Sequence, residues 1–120
     1  RQRNGTRPLL ALAEATDPDL VDIELDVGWT HAAGMDPIQM IERMKSRIRL
    51  VHLKDMKPGL DGDWTSVPLG EGELDVFAIL AALEAVPVQW LFVEQDPPFK
   101  RPAMDDLAAS LAYLSKREIL

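Results

Sequence analysis

Cysteine is absent from the 120 residues, so this chain can build no disulfide framework, no thiolate metal site and no cysteine nucleophile. That fits a reducing compartment, and a cytoplasmic location is the expectation. No apolar run approaches the roughly 20 residues that a membrane-spanning helix needs, and no signal-peptide pattern precedes the first periodic segment. Long runs of Lys and Arg are missing too. With 13 basic against 20 acidic residues the net charge is −7, and an acidic surface repels phosphate backbones. Neither nucleic acid nor a membrane is therefore expected as a partner. The chain starts at Arg1 rather than Met, which is compatible with a processed chain, a trimmed one or a fragment.

What is present is globular in character. The chain is 47% hydrophobic and 28% charged, unlike a disordered segment, and its length suffices for one modest domain with a core. Residues 1–120 are expected to form a single domain. Val21 to Val27 alternates strictly, with Val21, Ile23, Leu25 and Val27 on one face and Asp22, Glu24 and Asp26 on the other. Period two predicts a strand. Ile48 to Asp55 and Val88 to Asp96 are predicted strands as well. In both, the apolar part comes first and the ionisable residues gather at the C-terminal end.

Helical spacing fills the intervals. Asp36-Pro37 is an N-cap with Pro at the first helical position, followed by Ile38, Ile41 and Met44, with Lys45 and Arg47 placed to complement the helix dipole. Asp75 caps a second helix with Val76, Ile79, Leu80 and Leu83 as its apolar stripe. A third runs from Ala103 to Lys116 with Met104, Leu107, Leu111 and Leu114 on one face. Thr6 to Ala15, with Leu9, Leu10, Leu12 and Ala13, precedes the first strand. The expected fold class is α/β, three parallel strands alternating with four helices through crossover connections. Met56 to Leu74, with Pro58-Gly59, Asp61-Gly62 and Gly70-Glu71-Gly72, is expected to be a long irregular loop, and such loops are usually functional or mobile. A closed (β/α)₈ barrel needs roughly 250 residues, so the pattern leaves a small open α/β domain and a part of a barrel as alternatives.

Ligands of parallel α/β sheets bind beyond the carboxyl ends of the strands. Asp26, His52 and Glu94 stand at three such ends. Carboxylate and imidazole donors suit one divalent ion, Mn²⁺, Mg²⁺, Zn²⁺ or Co²⁺. Strand-end position alone leaves a second reading open, because a lone strand histidine is commonly a packed core residue and charges gather wherever loops begin. Lys54 shares the face of His52 and is placed to reach an anionic or hydroxyl-bearing ligand, or else is a solvated strand end. Glu24 lies one step deeper on the face of Asp26, where a carboxylate must be paired or protonated, and is expected to be structural. Glu71, in the Gly70-Glu71-Gly72 run, is a candidate for a phosphate or substrate loop. Trp29 and Trp64 are candidates for lining a sugar pocket, or ordinary packing.

Several runs carry a resemblance. Leu25-Asp26-Val27-Gly28-Trp29, Ala33-Gly34-Met35-Asp36-Pro37, Arg47 with Val51-His52-Leu53-Lys54-Asp55, Gly70-Glu71-Gly72 and Val93-Glu94-Gln95-Asp96 occur in that order. Together they resemble the sugar phosphate isomerase/epimerase family of xylose isomerase-like TIM barrels. The resemblance implies that the chain is the C-terminal part of a (β/α)₈ barrel. It implies a divalent metal held by Glu, Asp, His and Glu from the last four strands, with Asp26, His52 and Glu94 as the last three. The first Glu would belong to a strand before Thr6. It also implies a small carbohydrate substrate and a second role for Glu94, as one of two glutamates exchanging a proton next to a carbonyl. The substrate contacts expected from the residues themselves are Lys54, Trp29 and Glu71.

One position departs from the family. Several members carry His three residues after the metal-binding Asp, and Trp29 stands there in this chain. This argues against the multi-zinc endonuclease branch and puts ketose 3-epimerase specificity in doubt, while a dehydratase acting on keto-inositols stays open, as does sugar-phosphate isomerisation. A non-catalytic fragment or truncated homologue is the contrasting possibility. Three strands of a barrel leave two open edges and an uncovered apolar face that includes Trp90 and Phe92. The chain is therefore expected to associate, with a missing N-terminal half or with another copy.

Overall fold

The alternation over residues 21–27 produces a strand only at Ile23–Asp26 (β1). The reason is at its end. Asp26 Oδ1 accepts the Trp29 amide N–H at 2.9 Å and so caps a short helix, Val27–Ala32 (α2), that the sequence pattern does not announce. Val27 is thus the first helical residue rather than the last strand residue, and Val21 lies outside the strand, 39% exposed.

A computed structural model describes residues 7–60 and 62–117 of the chain. Thr6 and Asp61 lie outside the described residues. The first helix is Pro8–Ala15 (α1). After α2 come Pro37–Met44 (α3) and Ile48–Leu53 (β2). Asp55–Pro58 (β3) and Trp64–Val67 (β4) follow, then Val76–Leu83 (α4). Trp90–Val93 (β5) and Ala103–Leu114 (α5) complete the order, with a 3₁₀ turn at Ser115–Arg117. Among the described residues no helix is long and apolar enough to cross a membrane.

β1, β2 and β5 form one sheet in the order β1-β2-β5, and both pairings are parallel. The register sets Asp26 beside His52 and His52 beside Phe92. Period two then sorts the sheet into faces. Leu25, Val51 and Leu53 point to the core with Ile23, and Ile48 joins them because the pairing register shifts between Ile23 and Glu24; all are at most 6% exposed. There they meet Ile41 and Met44 of α3 and Val76 and Ile79 of α4. A side chain buried this fully contributes roughly 1.5–3 kcal/mol. Glu24, Asp26, Leu50, His52, Trp90 and Phe92 share the opposite face, and Trp90 and Phe92 are 66% and 45% exposed.

Three further expectations change. The stretch 56–74 is not irregular throughout. β3 and β4 pair as an antiparallel hairpin, Asp55 against Val67 through Pro58 against Trp64, turning at Gly62 with φ +80°. Met56, Ser66 and Val67 are buried there, which gives so short a pairing the apolar support it needs. The helix α5 does not bury the stripe Met104, Leu107, Leu111, since all three are exposed. It instead buries Asp106, Ser110 and Leu114, because its two polar residues have specific partners: Ser110 Oγ accepts the Leu69 N–H at 3.1 Å and donates to the Asp106 carbonyl. Arg47, finally, lies beyond α3 and does not serve its dipole. Its guanidinium donates to the Val21 carbonyl at 2.7 Å, the Ala13 carbonyl at 3.0 Å and Thr16 Oγ1 at 2.9 Å, tying the end of α1 to the approach to β1.

Candidate metal and substrate site

Asp26 reaches the site because it ends β1 and caps α2. Its Oδ1 is taken by the cap, which leaves Oδ2 free to face the neighbouring strand. His52 stands beside it in β2, and Glu94 follows directly after β5. One donor atom from each of the three lies within 4.8 Å of the others. A sphere of 2.0–2.2 Å ligand bonds spans up to about 4.4 Å between opposed donors, so small side-chain adjustments bring all three onto one ion.

His52 is oriented from both sides. Nδ1 lies 2.5 Å from Glu94 Oε2 and 4.0 Å from Asp26 Oδ2. Nε2 lies 2.6 Å from Glu24 Oε1, which gives Glu24 the structural place expected of it. A carboxylate at the far nitrogen is the usual way a ligating imidazole is aimed. Phe92 stacks edge-on against the ring at 5.7 Å.

Lys54 closes the group. Its side chain is 2% exposed, with Nζ 2.9 Å from Asp26 Oδ2, 3.0 Å from Glu94 Oε2 and 2.7 Å from Asp96 Oδ2. Burial disfavours its charge, but the contacts with Asp96, Asp26 and Glu94 outweigh it and hold the ammonium above the ordinary lysine range. Asp96, which sequence reasoning left unassigned, is partly buried. The Lys54 and Trp29 hydrogen bonds overcome that burial and keep its carboxyl below the usual range. Glu94 Oε2 is the odd atom. It is buried and close to the Lys54 ammonium and the His52 imidazole, yet no contact has hydrogen-bond angles. Two carboxylates and an imidazole, with one of the carboxylate oxygens buried and undirected, form a donor set that fits a divalent cation.

The remaining candidates divide. Trp29 is half-exposed beside the group, its Nε1–H donating to Asp96 Oδ2 at 2.9 Å and its ring 5.9 Å from Lys54 Nζ. Trp64 packs edge-on against His31 with centroids 5.0 Å apart, away from the cluster. Glu71 is also not brought to the cluster. It pairs with Arg101 at 2.8 Å on a separate cavity of about 210 Å³ lined by Lys57, Gln95 and Lys100. The Gly70-Glu71-Gly72 run cradles no phosphate with its backbone, because the Gly70 and Gly72 N–H groups both donate to the chain's own Asp55 at 2.9 Å.

Comparison with known proteins follows the same lines. The family described as xylose isomerase-like TIM barrel matches residues 4–117. The chain belongs to that family. Among curated relatives, the inosose dehydratase of Geobacillus kaustophilus is 34% identical across 76% of this chain and 35% of that protein. The inosose dehydratase of Clostridium tetani is 36% identical across 81% and 38%. A sugar phosphate isomerase/epimerase from Parabacteroides distasonis superposes with a TM-score of 0.78 at 25% identity, over 95% of this chain and 37% of that one. The chain thus spans little more than a third of the length of these relatives. Its parallel strands and flanking helices are a portion of the xylose isomerase-like (β/α)₈ barrel.

Proposed function

We propose that this chain is the C-terminal, ligand-bearing part of a metal-dependent isomerase or epimerase that moves a proton next to the carbonyl of a sugar, sugar phosphate or related polyol. Residues 1–120 are then one partial barrel domain. Asp26, His52 and Glu94 hold one divalent ion, Mn²⁺, Mg²⁺, Zn²⁺ or Co²⁺. The observation that carries this reading is the convergence of those three side chains from successive parallel strands, with the Glu94 Oε2 atom buried and undirected. A bound ion supplies polarisation of the substrate carbonyl. Glu94 would be one of two glutamates that exchange the proton, one taking it from the adjacent carbon and the other delivering a proton to the opposite face, or, in an isomerase, the base that moves it to the neighbouring carbon. Lys54 and Trp29 stand beside it to hold substrate oxygens and one sugar face, while Glu71, paired with Arg101 away from the cluster, takes no part in this reading.

A second reading is favoured by the relatives named inosose dehydratase. It shares the first step. A proton leaves the carbon next to the carbonyl for Glu94, but a hydroxyl then departs from the next carbon as water and a double bond remains. In both readings the chain alone is incomplete. It covers 35–38% of the dehydratases it matches, and the family resemblance calls for one more glutamate ligand.

Calorimetry with Mn²⁺ tests the site. The expected result is binding at micromolar affinity or weaker, abolished in His52→Ala, and equal heats for both proteins would sink the assignment. Solvent deuterium incorporation tests the chemistry. None is expected from the chain alone on ketose or keto-inositol substrates. The complete protein is expected to incorporate deuterium next to the carbonyl, and loss of water from the product separates the dehydratase from the isomerase.

A further inference from the structure

Asp96 has no part in the chemistry above, yet it makes the shortest contact to Lys54. Its Oδ2 accepts from Lys54 Nζ at 2.7 Å and from the Trp29 indole Nε1–H at 2.9 Å. The other two carboxylate oxygens around the ammonium are Asp26 Oδ2 at 2.9 Å and Glu94 Oε2 at 3.0 Å. These are the oxygens turned toward His52 Nδ1. Asp26 has no substitute to offer, because its Oδ1 is committed to the Trp29 amide. Two of the three partners of Lys54 are therefore the oxygens a cation would need, and Asp96 is the one that is not.

The stem of Lys54 is already fixed. It lies over Gly28, where an added Cβ would come within 2.9 Å of Lys54 Cγ, and the side chain is 2% exposed. What remains free is the end of the chain. An ammonium is a compact charge on rotatable bonds, and with only Asp26 and Glu94 for partners it would settle between their oxygens.

We propose that Asp96, braced by the Trp29 indole N–H, is a positioning residue that draws the Lys54 ammonium toward itself and leaves the Asp26 and Glu94 oxygens to a divalent cation. This rests on the metal-binding reading above. It also gives Trp29 a task beyond offering its ring to a sugar.

A double-mutant cycle on the full chain, read by Mn²⁺ titration, tests it. Asp96→Asn is expected to weaken Mn²⁺ binding about tenfold, as loss of an outer partner of a metal site does. In the Lys54→Met background the same change is expected to cost less than about threefold, because no ammonium remains to be held off. An equal cost in both backgrounds overturns the proposal. Trp29→Phe keeps the ring, removes the N–H and repeats the cycle if Asp96→Asn does not fold. Absence of Mn²⁺ binding by the unaltered chain counts against the metal reading, and a metal-free measurement then decides the positioning. The Lys54 ammonium ¹H–¹⁵N correlation, slow-exchanging because it is buried and bonded, is expected in the unaltered chain and displaced in Asp96→Asn and Trp29→Phe, as the ammonium moves onto Asp26 and Glu94. An unmoved correlation in both overturns the role of Asp96.

Discussion

Asp55 and Gly72 are fitted to each other: the Asp55 carboxylate accepts the Gly72 N–H at 2.9 Å and occupies the space a side chain at residue 72 would need. The same carboxylate, fully buried, also accepts the N–H groups of Met56, Gly70 and Leu74 at 2.9–3.1 Å. One side chain thus satisfies four backbone donors and shapes the loop between β4 and α4. Asp55→Asn exchanges one of the two acceptor oxygens for a donor facing those N–H groups. A loss of about 3 kcal/mol is expected, since buried donors lose charged partners. Gly72→Ala drives a Cβ into the Asp55 carboxyl group and to 2.6 Å from the Met56 carbonyl oxygen, and is expected to cost about 2 kcal/mol or more. Urea midpoints at pH 7 check both, and a shift below about 0.5 kcal/mol in either would show the loop to be loosely held.

Glu24 and His52 give a second prediction. The Glu24 Oε1 contact at 2.6 Å aims the imidazole so that Nδ1 faces Asp26 and Glu94. Glu24→Gln keeps the shape and removes the charge. Outer carboxylates of this kind are worth roughly 10–100-fold in metal affinity, so Mn²⁺ binding is expected to fall at least tenfold while the urea midpoint changes little. Unchanged affinity would make Glu24 a bystander.

The convergence of Asp26, His52 and Glu94 was legible in the sequence because neighbouring parallel strands end side by side, and period two fixes the face of each residue. Glu24 was legible for the same reason. The helix α2 was not, because the residue that ends the strand is also the residue that starts the helix, and the alternation runs on through Val27 without a break. The β3–β4 hairpin was hidden by its Pro and Gly residues, which signal turns but not the four-residue strands between them. Asp96 and Asp55 were missed for a deeper reason. Each acts through a partner 15 or more positions away along the chain, Lys54 and Gly70 among them, and no local pattern records that. The exposed stripe of α5 misled because helical spacing shows which residues share a face and not whether anything covers it.

That uncovered stripe yields a third prediction. Trp90, Phe92, Leu91, Leu107 and Leu111 are all at least 36% exposed. In the sheet order β1-β2-β5, β1 and β5 each have one unpaired edge among the described residues. Apolar area and open edges of this kind promote association. The isolated chain is expected to sediment as an oligomer or a polydisperse mixture at micromolar concentration, and Trp90→Lys with Leu111→Lys to shift it toward monomer. A stable monomer of the unaltered chain would mean that these faces tolerate water.

Acid sensitivity is the last. Asp106 is buried in α5 and accepts Arg101 Nε at 2.6 Å and Gln95 Nε2 at 2.8 Å. Burial alone would raise its pKa, but the Arg101 and Gln95 bonds prevail and hold it below its ordinary 3.8. A carboxyl group with a depressed folded-state pKa contributes stability that is fully present above the unfolded value and lost as pH falls through the folded one. Asp96 is shifted in the same direction by Lys54 and Trp29. The urea midpoint is therefore expected to hold steady from neutral pH to about pH 4 and to fall steeply below it. Asp106→Asn lowers the midpoint at pH 7 by removing the ion pair. Its further drop between pH 5 and pH 2.5 is expected to be smaller than that of the unaltered chain, because the proton that Asp106 takes up on unfolding is gone. Parallel curves for the two proteins would show that the Arg101 pairing does not hold the Asp106 proton off in solution.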